Sequence, residues 1–350
     1  MKKLVIIALV AAAAACLPAN AQAVPPGTRV QLFKGGLDFP VDIAYVPNSK
    51  KLFFTEKNTG KIRVISSGNL LPQACVDLDV LTDGERGALG LVLDPDYATN
   101  QFLYVYFTNA SPVENRVTRF TVQNNACTNP RVIVRGIPST SGYHNGGQLL
   151  FVSGKLFVTV GEGHDPANAQ SLRTRLGKVL RYNRNGTIPS DNPVLGGRRS
   201  AIWTYGHRNG FGLAKRGRTG QVFETENGPN CDDELNRILR GRNYGWGDGY
   251  ACGTAGVGRS PVAPLKRWTP PIAPTDPWFY SGRVKQLRGA LFVGDFNTGT
   301  LRKVVLNDAG TVVRSISRTH VAADGITDVS GGPGGWLYFA TTTGIYRVVS

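Results

Sequence analysis

The residues best suited to chemistry lie in one stretch, from Gly220 to Gly247. Three consecutive acids, Asp232, Asp233 and Glu234, follow a turn-forming sequence at residues 227–229. Gly and Pro favour an irregular loop in which some carbonyl oxygens have no partner in a β-ladder. Free carbonyl oxygens beside clustered carboxylates are the ligands that Ca²⁺ prefers. From the loop alone, a Ca²⁺ site and a tight turn with solvated acids are equally compatible with this stretch.

A histidine and an arginine are further candidates for chemistry. His144 lies in the glycine-rich loop 142–147, which leads into a strand. There the imidazole is free to project into a central cavity and to act as a general base near neutral pH. Arg208 and Asn209 follow a second glycine-rich turn, where an arginine can hold a carboxylate or stabilise a developing oxyanion. The alternatives are a histidine in a surface loop and a surface ion pair.

An internal repeat predicts the elements that position these residues. Six segments share an apolar-aromatic strand core followed by a polar tip. They begin at Leu52, Leu103, Leu156, Val222, Leu291 and Leu337. Most follow a short apolar strand, and several precede another. Such repeats predict an all-β fold, a six-bladed β-propeller of four-stranded blades. A pair of β-sandwiches is the alternative.

The spacing of the repeats also predicts how the ring closes and where the insertions lie. A strand near residues 29–33 is expected to complete the last blade. Longer intervals place insertions at about 163–205 and 227–280, and insertions of this kind usually lie on one face and carry the site. Asp165 and Pro166 predict a short helix that runs toward Leu176.

The first 23 residues have the features of an export signal. Lys2 and Lys3 form a basic region, residues 4–15 are apolar, and Ala21-Gln22-Ala23 is a small-residue cleavage site. We therefore expect cleavage after Ala23, a propeller domain over residues 24–350, and a periplasmic or secreted protein. No later stretch has the roughly 18 to 20 apolar residues that span a bilayer.

Four cysteines remain after the signal, namely Cys75, Cys127, Cys231 and Cys252. An even number in an exported chain predicts two disulfides, and three pairings are possible. We expect Cys231 to pair with Cys252, which would join the ends of the acidic loop. Cys75 would then pair with Cys127.

The chain is strongly basic, with a formal net charge of +16 and a pI near 9.9. The charge is +14 without the two lysines of the signal. A basic surface can steer anionic partners toward the protein. No nucleic-acid-binding motif accompanies the charge, so we expect no nucleic-acid partner.

Six motifs occur in collinear order along the chain. They are GYHNGGQL at 142–149, LGKVLR at 176–181, IPSDNP at 188–193, IWTYGHRN at 202–209, ENGPNCDDELN at 226–236 and NYGW at 243–246. Together they resemble the soluble PQQ-dependent glucose/sorbosone dehydrogenase family, which includes bacterial aldose sugar dehydrogenases. The resemblance runs from about Asp38 to the C-terminus. It implies a six-bladed propeller, in agreement with the repeats.

The resemblance also implies a role for each candidate residue. His144 corresponds to the base that takes the proton of a sugar C1 hydroxyl while hydride passes to the quinone. Arg208 and Asn209 correspond to residues that contact cofactor and substrate, and Arg208 would stabilise developing negative charge. The carbonyl oxygens of Gly228 and Pro229 would hold the Ca²⁺ that polarises the quinone.

Some family members bind a second, structural Ca²⁺. The residues that hold it correspond to Asp233, Glu234 and Tyr244 in this chain. Two family glutamines near the cofactor fall at Arg86 and Asn227 in this chain, which makes both candidates for cofactor contact.

The chain departs from the family at its cationic positions. PQQ carries three carboxylates, which need cationic partners. The family's cofactor lysine aligns with Asn297, and its two late arginines align with Gly325 and Thr327. Arg86 is a candidate replacement. Other candidates are Arg283, Lys285, Arg288, Arg302 and Lys303.

Three functions follow from these observations. The first is a PQQ- and Ca²⁺-dependent aldose dehydrogenase that oxidises a small sugar and passes electrons to an acceptor the sequence does not identify. The second is a non-catalytic Ca²⁺-binding propeller that binds carbohydrate or protein. The third is a Ca²⁺-dependent lactonase, with Glu56, Glu226 or Asp295 around an axial metal.

Overall fold

The computed structural model describes residue 24 and residues 27–350. Six sheets with four main strands each are arranged around a central axis, which confirms the all-β, six-bladed propeller and excludes the sandwich pair. The expected signal peptide, residues 1–23, lies outside the described residues.

The blades are numbered 1 to 6 along the chain, and each is given from its inner strand outward. Blade 1 contains Pro40–Tyr45, Lys51–Glu56, Lys61–Ser66 and Asn69–Leu70, with Val76–Asp77 beside its third strand, and blade 2 contains Ala88–Leu93, Phe102–Asn109, Glu114–Gln123 and Ala126–Ile137. Blade 3 contains Leu149–Val152, Lys155–Val160, Lys178–Asn183 and Ile202–Tyr205, and blade 4 contains Gly210–Arg216, Gln221–Glu226, Asp233–Ile238 and Lys266–Trp268. Blade 5 contains Pro274–Phe279, Leu291–Asp295, Thr300–Leu306 and Val313–His320, and blade 6 contains Ile326–Gly331, Leu337–Thr341, Gly344–Val349 and, outermost, Arg29–Gly35.

The ring closes through its sixth blade. Arg29–Gly35 pairs antiparallel with Gly344–Val349, so a strand from the beginning of the chain completes a sheet built from its end. This confirms the closure expected from the sequence.

The second strand of each blade is buried on both faces because it is packed between two neighbouring blades. In blade 1, Phe53 packs into a core shared with Leu103 and Val105 of blade 2. The next residue, Phe54, packs into a core shared with Tyr338 of blade 6. Successive strand side chains point to opposite faces, so burial of both faces explains why these strands are continuous apolar runs.

Helices are short and lie between strands. They are Tyr97–Asn100 and Ala167–Gln170, with 3₁₀ turns at Gly217–Thr219, Lys285–Leu287 and Pro333–Gly335 and a small hairpin formed by Val194–Leu195 and Arg198–Arg199. No helix in the described part of the chain is long and apolar enough to cross a membrane.

The helix predicted after Asp165 ends earlier than expected. It covers Ala167–Gln170 and does not reach Leu176, because the backbone becomes extended at the next residue. The buried ammonium of Lys178 donates to the carbonyl oxygens of Asn168 and Ala169 at 2.8 and 3.0 Å. This bonding uses carbonyl groups that a longer helix would need for its own ladder.

Both expected disulfides are present. Cys75 bonds to Cys127 and Cys231 bonds to Cys252, with Cα–Cα distances of 4.9 and 6.1 Å. The first bond joins blade 1 to the outer strand of blade 2, and the second closes the loop that contains the acidic residues.

We expect removal of the first disulfide to destabilise the protein more than removal of the second. The bonds enclose sequence separations of 52 and 21 residues. Chain-entropy theory then gives losses of about 4 and about 3 kcal/mol in unfolding free energy. Urea titration of C75A/C127A and C231A/C252A, each against the oxidised wild type, measures the difference. Urea midpoints that are unchanged from wild type in both double variants would contradict this prediction.

Candidate active site

A cavity of about 510 Å³ opens at the end of the propeller where the inner strands begin. Loops that enter the inner strands and loops that leave the second strands form its walls. Seven of the residues that the sequence predicts for the site line it: His144, Arg208, Asn209, Asn227, Gly228, Pro229 and Asp233. The fold thus brings the histidine, the arginine and the Gly-Pro turn to the same cavity.

The imidazole of His144 is held by a carboxylate that the sequence analysis missed. Nδ1 lies 2.7 and 2.8 Å from the two carboxylate oxygens of Glu162, and Glu162 is 1% exposed. A carboxylate only accepts hydrogen bonds, so the neutral imidazole carries its proton on Nδ1 and leaves Nε2 as the basic atom. Glu162 follows the second strand of blade 3, and no sequence motif pairs it with His144.

The backbone around the cavity is held in an uncommon conformation. His144 has φ 56°, and the cavity-lining residues Phe39 and Ala273 have φ 49° and 50°. Non-glycine residues rarely occupy this left-handed region, and such strain costs about 1 to 3 kcal/mol per residue. Three of the thirteen such non-glycine residues in the described chain thus line the cavity.

Arg208 is fixed at both its backbone and its side chain. Its backbone N–H donates to the carboxylate of Glu226, and its guanidinium donates to the carbonyl oxygen of Asn227 at 2.8 Å and lies over the ring of Trp246. Burial lowers the pKa of Arg208, and the surrounding carboxylates, led by Glu162, oppose this shift. The guanidinium stays charged because its unperturbed pKa lies so high.

Glu226 is itself part of a buried ion-pair cluster. His207 lies 2.9 Å from Glu224 and 3.0 Å from Glu226. Burial lowers the pKa of His207, but the two carboxylates outweigh burial and raise it to about 10. His207 is therefore an imidazolium at neutral pH and serves as a structural cation beneath Arg208.

Asn209 and Glu85 connect the two catalytic candidates. The side chain of Asn209 accepts from the N–H of Gly146 at 3.2 Å and donates to Glu85 at 3.1 Å. The same oxygen of Glu85 accepts from the backbone N–H of His144 at 2.7 Å. Asn209 thus lines the cavity while its amide group holds the His144 loop in place.

Arg86 is not brought to the cavity, contrary to the expectation from the sequence. Its guanidinium donates to the side chain and carbonyl of Ser139, at 2.9 and 2.6 Å, and to Asp83. Its neighbour Glu85 lines the cavity instead. The side chains of Glu85 and Arg86 point in different directions. The cavity wall therefore has the anionic side chain of Glu85 where the alignment with the family predicts the cationic side chain of Arg86.

The Gly228–Pro229 turn has the donor atoms that a Ca²⁺ site requires. Within the described residues, no protein group donates a hydrogen bond to the carbonyl oxygen of Gly228 or Pro229, and the buried side-chain oxygen of Asn227 is also unpartnered. A Cβ on Gly228 would lie 2.0 Å from the carbonyl oxygen of Cys231, so only glycine fits the turn. Unused neutral oxygens beside a cavity fit a hard cation.

The carboxylate of Asp233 holds this turn in place through hydrogen bonds from backbone N–H groups. One oxygen accepts from the N–H of Gly228 at 2.8 Å, and the other accepts from the N–H groups of Ile272 and Ala273 at 2.6 and 2.7 Å. Burial raises the pKa of Asp233, although these backbone bonds oppose the shift. The carboxylate that the sequence suggested as a metal ligand thus holds three backbone donors.

Glu234 and Tyr244 lie beside a separate small cavity of about 10 Å³. Burial, followed by the charge of Glu226, raises the pKa of Glu234 to about 8. The phenol of Tyr244 donates to the carbonyl of Arg237 and accepts from the N–H of Leu239, so its hydroxyl is occupied. Of the three residues suggested for a second Ca²⁺, Glu234 has the carboxylate that is least engaged by backbone donors.

Cations are scarce on the cavity wall. Asn297 and Thr327, which align with the family's cofactor lysine and one of its late arginines, line the cavity as neutral side chains. Gly325, which aligns with the other arginine, does not line it. Arg302 pairs with Asp295, while Arg288 and Lys303 bond to backbone carbonyls elsewhere. None of the five late Arg and Lys candidates lines the cavity.

Lys57 supplies a cation that the sequence analysis missed. It lines the cavity and lies over the ring of Phe39 at 5.6 Å. Its ammonium donates to Asn58 and to the carbonyl of Thr82. Burial lowers its pKa, while the charges of Glu85 and Asp83 oppose the shift. Within the described residues, Lys57 and Arg208 are the lysine and arginine side chains on this wall.

Aromatic and apolar side chains form the rest of the wall. Phe39, Leu89, Phe211 and Phe296 line the cavity, and Tyr143, which is 55% exposed, lies at its mouth. A concave, mostly apolar pocket with a few convergent polar groups is typical of a small-molecule site.

Fold and site together define a six-bladed propeller with a small-molecule-sized cavity at one end of its axis. The family model described as Glucose / Sorbosone dehydrogenase matches residues 37–347. The chain belongs to this family, and it is an oxidoreductase that acts on sugars.

Individual proteins of the family are similar along most of the chain. Aldose sugar dehydrogenase YliI of Escherichia coli (strain K12) is 29% identical over 356 residues, with 93% of each chain covered. The apo-form structure of the soluble aldose sugar dehydrogenase of Escherichia coli has a TM-score of 0.82 at 27% identity and covers 92% of this chain and 99% of that one. The PQQ-bound form of aldose sugar dehydrogenase from Streptomyces coelicolor has a TM-score of 0.77 at 25% identity, with coverage of 93% and 98%.

We expect the neutral imidazole of His144 to carry its proton on Nδ1 and not on Nε2. The bond to Glu162 fixes this tautomer because the carboxylate accepts the Nδ1 proton. Nitrogen-15 NMR of labelled imidazoles distinguishes the two forms, and the H144Q variant identifies the signals. E162A should allow both tautomers. A wild-type His144 with its proton on Nε2 would contradict this orientation of the ring.

Proposed function

We propose that the protein is an exported, PQQ- and Ca²⁺-dependent aldose dehydrogenase that oxidises the C1 hydroxyl of a sugar to a lactone. One observation supports this most: His144, Arg208 and the Gly228–Pro229 turn line one cavity. Each of these groups has the chemistry that such an oxidation requires, and they come from two neighbouring blades, His144 from blade 3 and the other two groups from blade 4.

His144 would act as the general base. Its Nε2 takes the proton of the C1 hydroxyl, and Glu162 stabilises the resulting imidazolium. Loss of this proton lets the C1–O bond become a carbonyl as the C1 hydrogen leaves with its electron pair. Arg208 places a fixed positive charge beside the cavity, which stabilises negative charge as it develops.

The wall has suitable groups to hold the cofactor and the metal. The aromatic side chains would enclose a planar ring, and Lys57 and Arg208 would pair with carboxylates. The carbonyl oxygens of Gly228 and Pro229 and the side-chain oxygen of Asn227 would hold Ca²⁺. Bound PQQ would accept the hydride, and Ca²⁺ would increase its electrophilicity.

The substrate would enter at the exposed side of the cavity. Tyr143 and Phe296 are 55% and 40% exposed, and both line the cavity. Exposed aromatic rings offer flat apolar surfaces that suit the C–H faces of a sugar ring. Export through the predicted signal is consistent with the two disulfides, which persist in oxidising compartments.

The scarcity of cations favours one alternative, a non-catalytic Ca²⁺-binding propeller that binds carbohydrate or protein. Such a protein would bind Ca²⁺ without binding PQQ. The lactonase alternative has less support, because Glu56 pairs with Arg63, Glu226 with His207, and Asp295 with Arg302. These carboxylates are thus held by separate cations and do not form one site.

The H144A variant should lose aldose oxidation by about 10²- to 10⁴-fold while it retains PQQ binding, because it lacks only the base. Dye-linked oxidation of an aldose panel after reconstitution with PQQ and Ca²⁺ measures turnover, and absorbance titration measures cofactor binding. H320A, at an exposed histidine in blade 5, is the matched control and should match wild type. Full turnover in H144A, or no PQQ binding by wild type, would contradict the proposal.

The K57M variant should bind PQQ about 10- to 100-fold more weakly. Replacement of the ammonium removes a charge-assisted interaction of about 1.5 to 3 kcal/mol but keeps an apolar stem of similar length. Fluorescence titration with PQQ in excess Ca²⁺ measures the affinity, and K50M, at an exposed lysine, is the control. Equal affinities in the two variants would exclude a role for Lys57 in holding the cofactor.

A further inference from the structure

A second group of carboxylates lies inside the propeller, beneath the active-site cavity. Asp42, Asp276 and Asp328 each occupy the third position of an inner strand, in blades 1, 5 and 6 respectively. These blades are neighbours around the ring, and blade 6 is the one in which the chain closes. One carboxylate oxygen from each residue lies within 4.8 Å of the others.

All three side chains are withdrawn from solvent, with exposures of 4%, 7% and 0% for Asp42, Asp276 and Asp328. No lysine, arginine or histidine of the described chain forms an ion pair with any of them. Buried charges without a partner are strongly unfavourable. The cluster therefore needs either protons or a cation.

Backbone donors hold two of the carboxylates but not the third. Asp42 accepts from the N–H of Leu91 at 2.7 Å, and Asp276 accepts from the N–H of Leu213 at 2.8 Å. Each of these donors belongs to the inner strand of an adjacent blade. Neither carboxylate oxygen of Asp328 has a hydrogen-bond donor in bonding geometry. A fully buried, unpartnered carboxylate facing two others is an independent indication of a missing positive ligand.

The dimensions of the cluster suit one hard cation. Ca²⁺ binds oxygen ligands at about 2.3 to 2.6 Å, so two ligands on opposite sides of the ion are roughly 4.6 to 5.2 Å apart. The three oxygens lie within 4.8 Å of one another, so they are close enough to contact a single ion. A cavity of about 20 Å³ borders Asp42 and Asp276, which is room for a water molecule to complete the coordination.

Shared protons are the competing explanation. Burial raises the pKa of Asp42 to about 7. Burial and the neighbouring carboxylates raise the pKa of Asp328 well above its ordinary value, and the nearby N–H of Ile43 opposes this only in part. A proton on Asp276 would give Asp328 a single donor and leave its other oxygen unpartnered. A divalent cation can contact both oxygens and offsets two charges at once.

We propose that Asp42, Asp276 and Asp328 form a buried Ca²⁺ site that links blades 5, 6 and 1 across the closure of the ring. The site is distinct from the Gly228–Pro229 turn and borders a small cavity next to the active-site cavity. Val41, Glu85, Leu89 and Phe211 line both the active-site cavity and the small cavity beside this site. The ion thus stabilises the blades whose inner strands support the catalytic end of the axis.

The test compares wild type with D276N/D328N, which keeps side-chain volume and removes two charges. Protein stripped with EDTA is dialysed against Ca²⁺ at pH 8, and bound calcium per chain is measured by plasma mass spectrometry. Wild type should retain one more Ca²⁺ per chain than the double variant. D308N, at an exposed aspartate, is the control and should retain as much as wild type.

Thermal unfolding gives a second readout without quinone or sugar, so failure of the proposed dehydrogenase activity does not affect it. Ca²⁺ should raise the unfolding midpoint of wild type by several degrees more than that of the double variant. In EDTA the variant should unfold at the same temperature as wild type or higher, because it lacks the uncompensated charges. If the double variant does not fold, D328N alone gives the same comparison. Equal calcium content and an equal Ca²⁺-dependent rise in wild type and variant would overturn the proposal.

Discussion

Three carboxylates position the active site by accepting hydrogen bonds from backbone N–H groups. Glu85 holds the backbone of His144, Glu226 holds that of Arg208, and Asp233 holds that of Gly228. Bonds from a backbone donor to a charged acceptor are stronger than neutral ones, and they act directly on the main chain. The catalytic candidates are thus aimed by acids that need not take part in the reaction.

The ring is what brings these groups together. His144 enters blade 3, Arg208 enters blade 4, and the Gly228–Pro229 turn leaves the second strand of blade 4. Lys57 and Glu85 come from the blade 1 side of the cavity. Closure of the sixth blade by Arg29–Gly35 therefore positions both halves of the site, and a cation between blades 5, 6 and 1 would act on the same closure.

Much of the fold follows from the sequence because a propeller repeats one local pattern. The second strands are apolar on both faces, so each repeat is visible without its neighbours, and the two disulfides agree with the expected pairings. The His144 and Arg208 loops stand out through their glycines. The helix after Asp165 is shorter than its sequence predicts. The ammonium of Lys178 binds carbonyl groups of this helix, and no sequence pattern reveals that contact.

The missed residues are those whose roles depend on side-chain direction or on contacts between blades. Glu162 contacts His144 across a loop, and Lys57 reaches the cavity from the end of the second strand of blade 1. Glu85 and Arg86 are adjacent in sequence but face different surroundings. The inner-strand aspartates Asp42 and Asp328 are far apart in the chain, and only the closed ring places them together.

The proposed oxidation depends most on a metal ion held by backbone oxygens inside the cavity that His144 faces. A crystal structure of the protein with Ca²⁺ and PQQ, with anomalous scattering used to locate calcium, tests this directly. We expect an ion about 2.3 to 2.6 Å from the carbonyl oxygens of Gly228 and Pro229, with Nε2 of His144 facing the same cavity. Calcium bound elsewhere while this turn holds none would contradict the proposed chemistry.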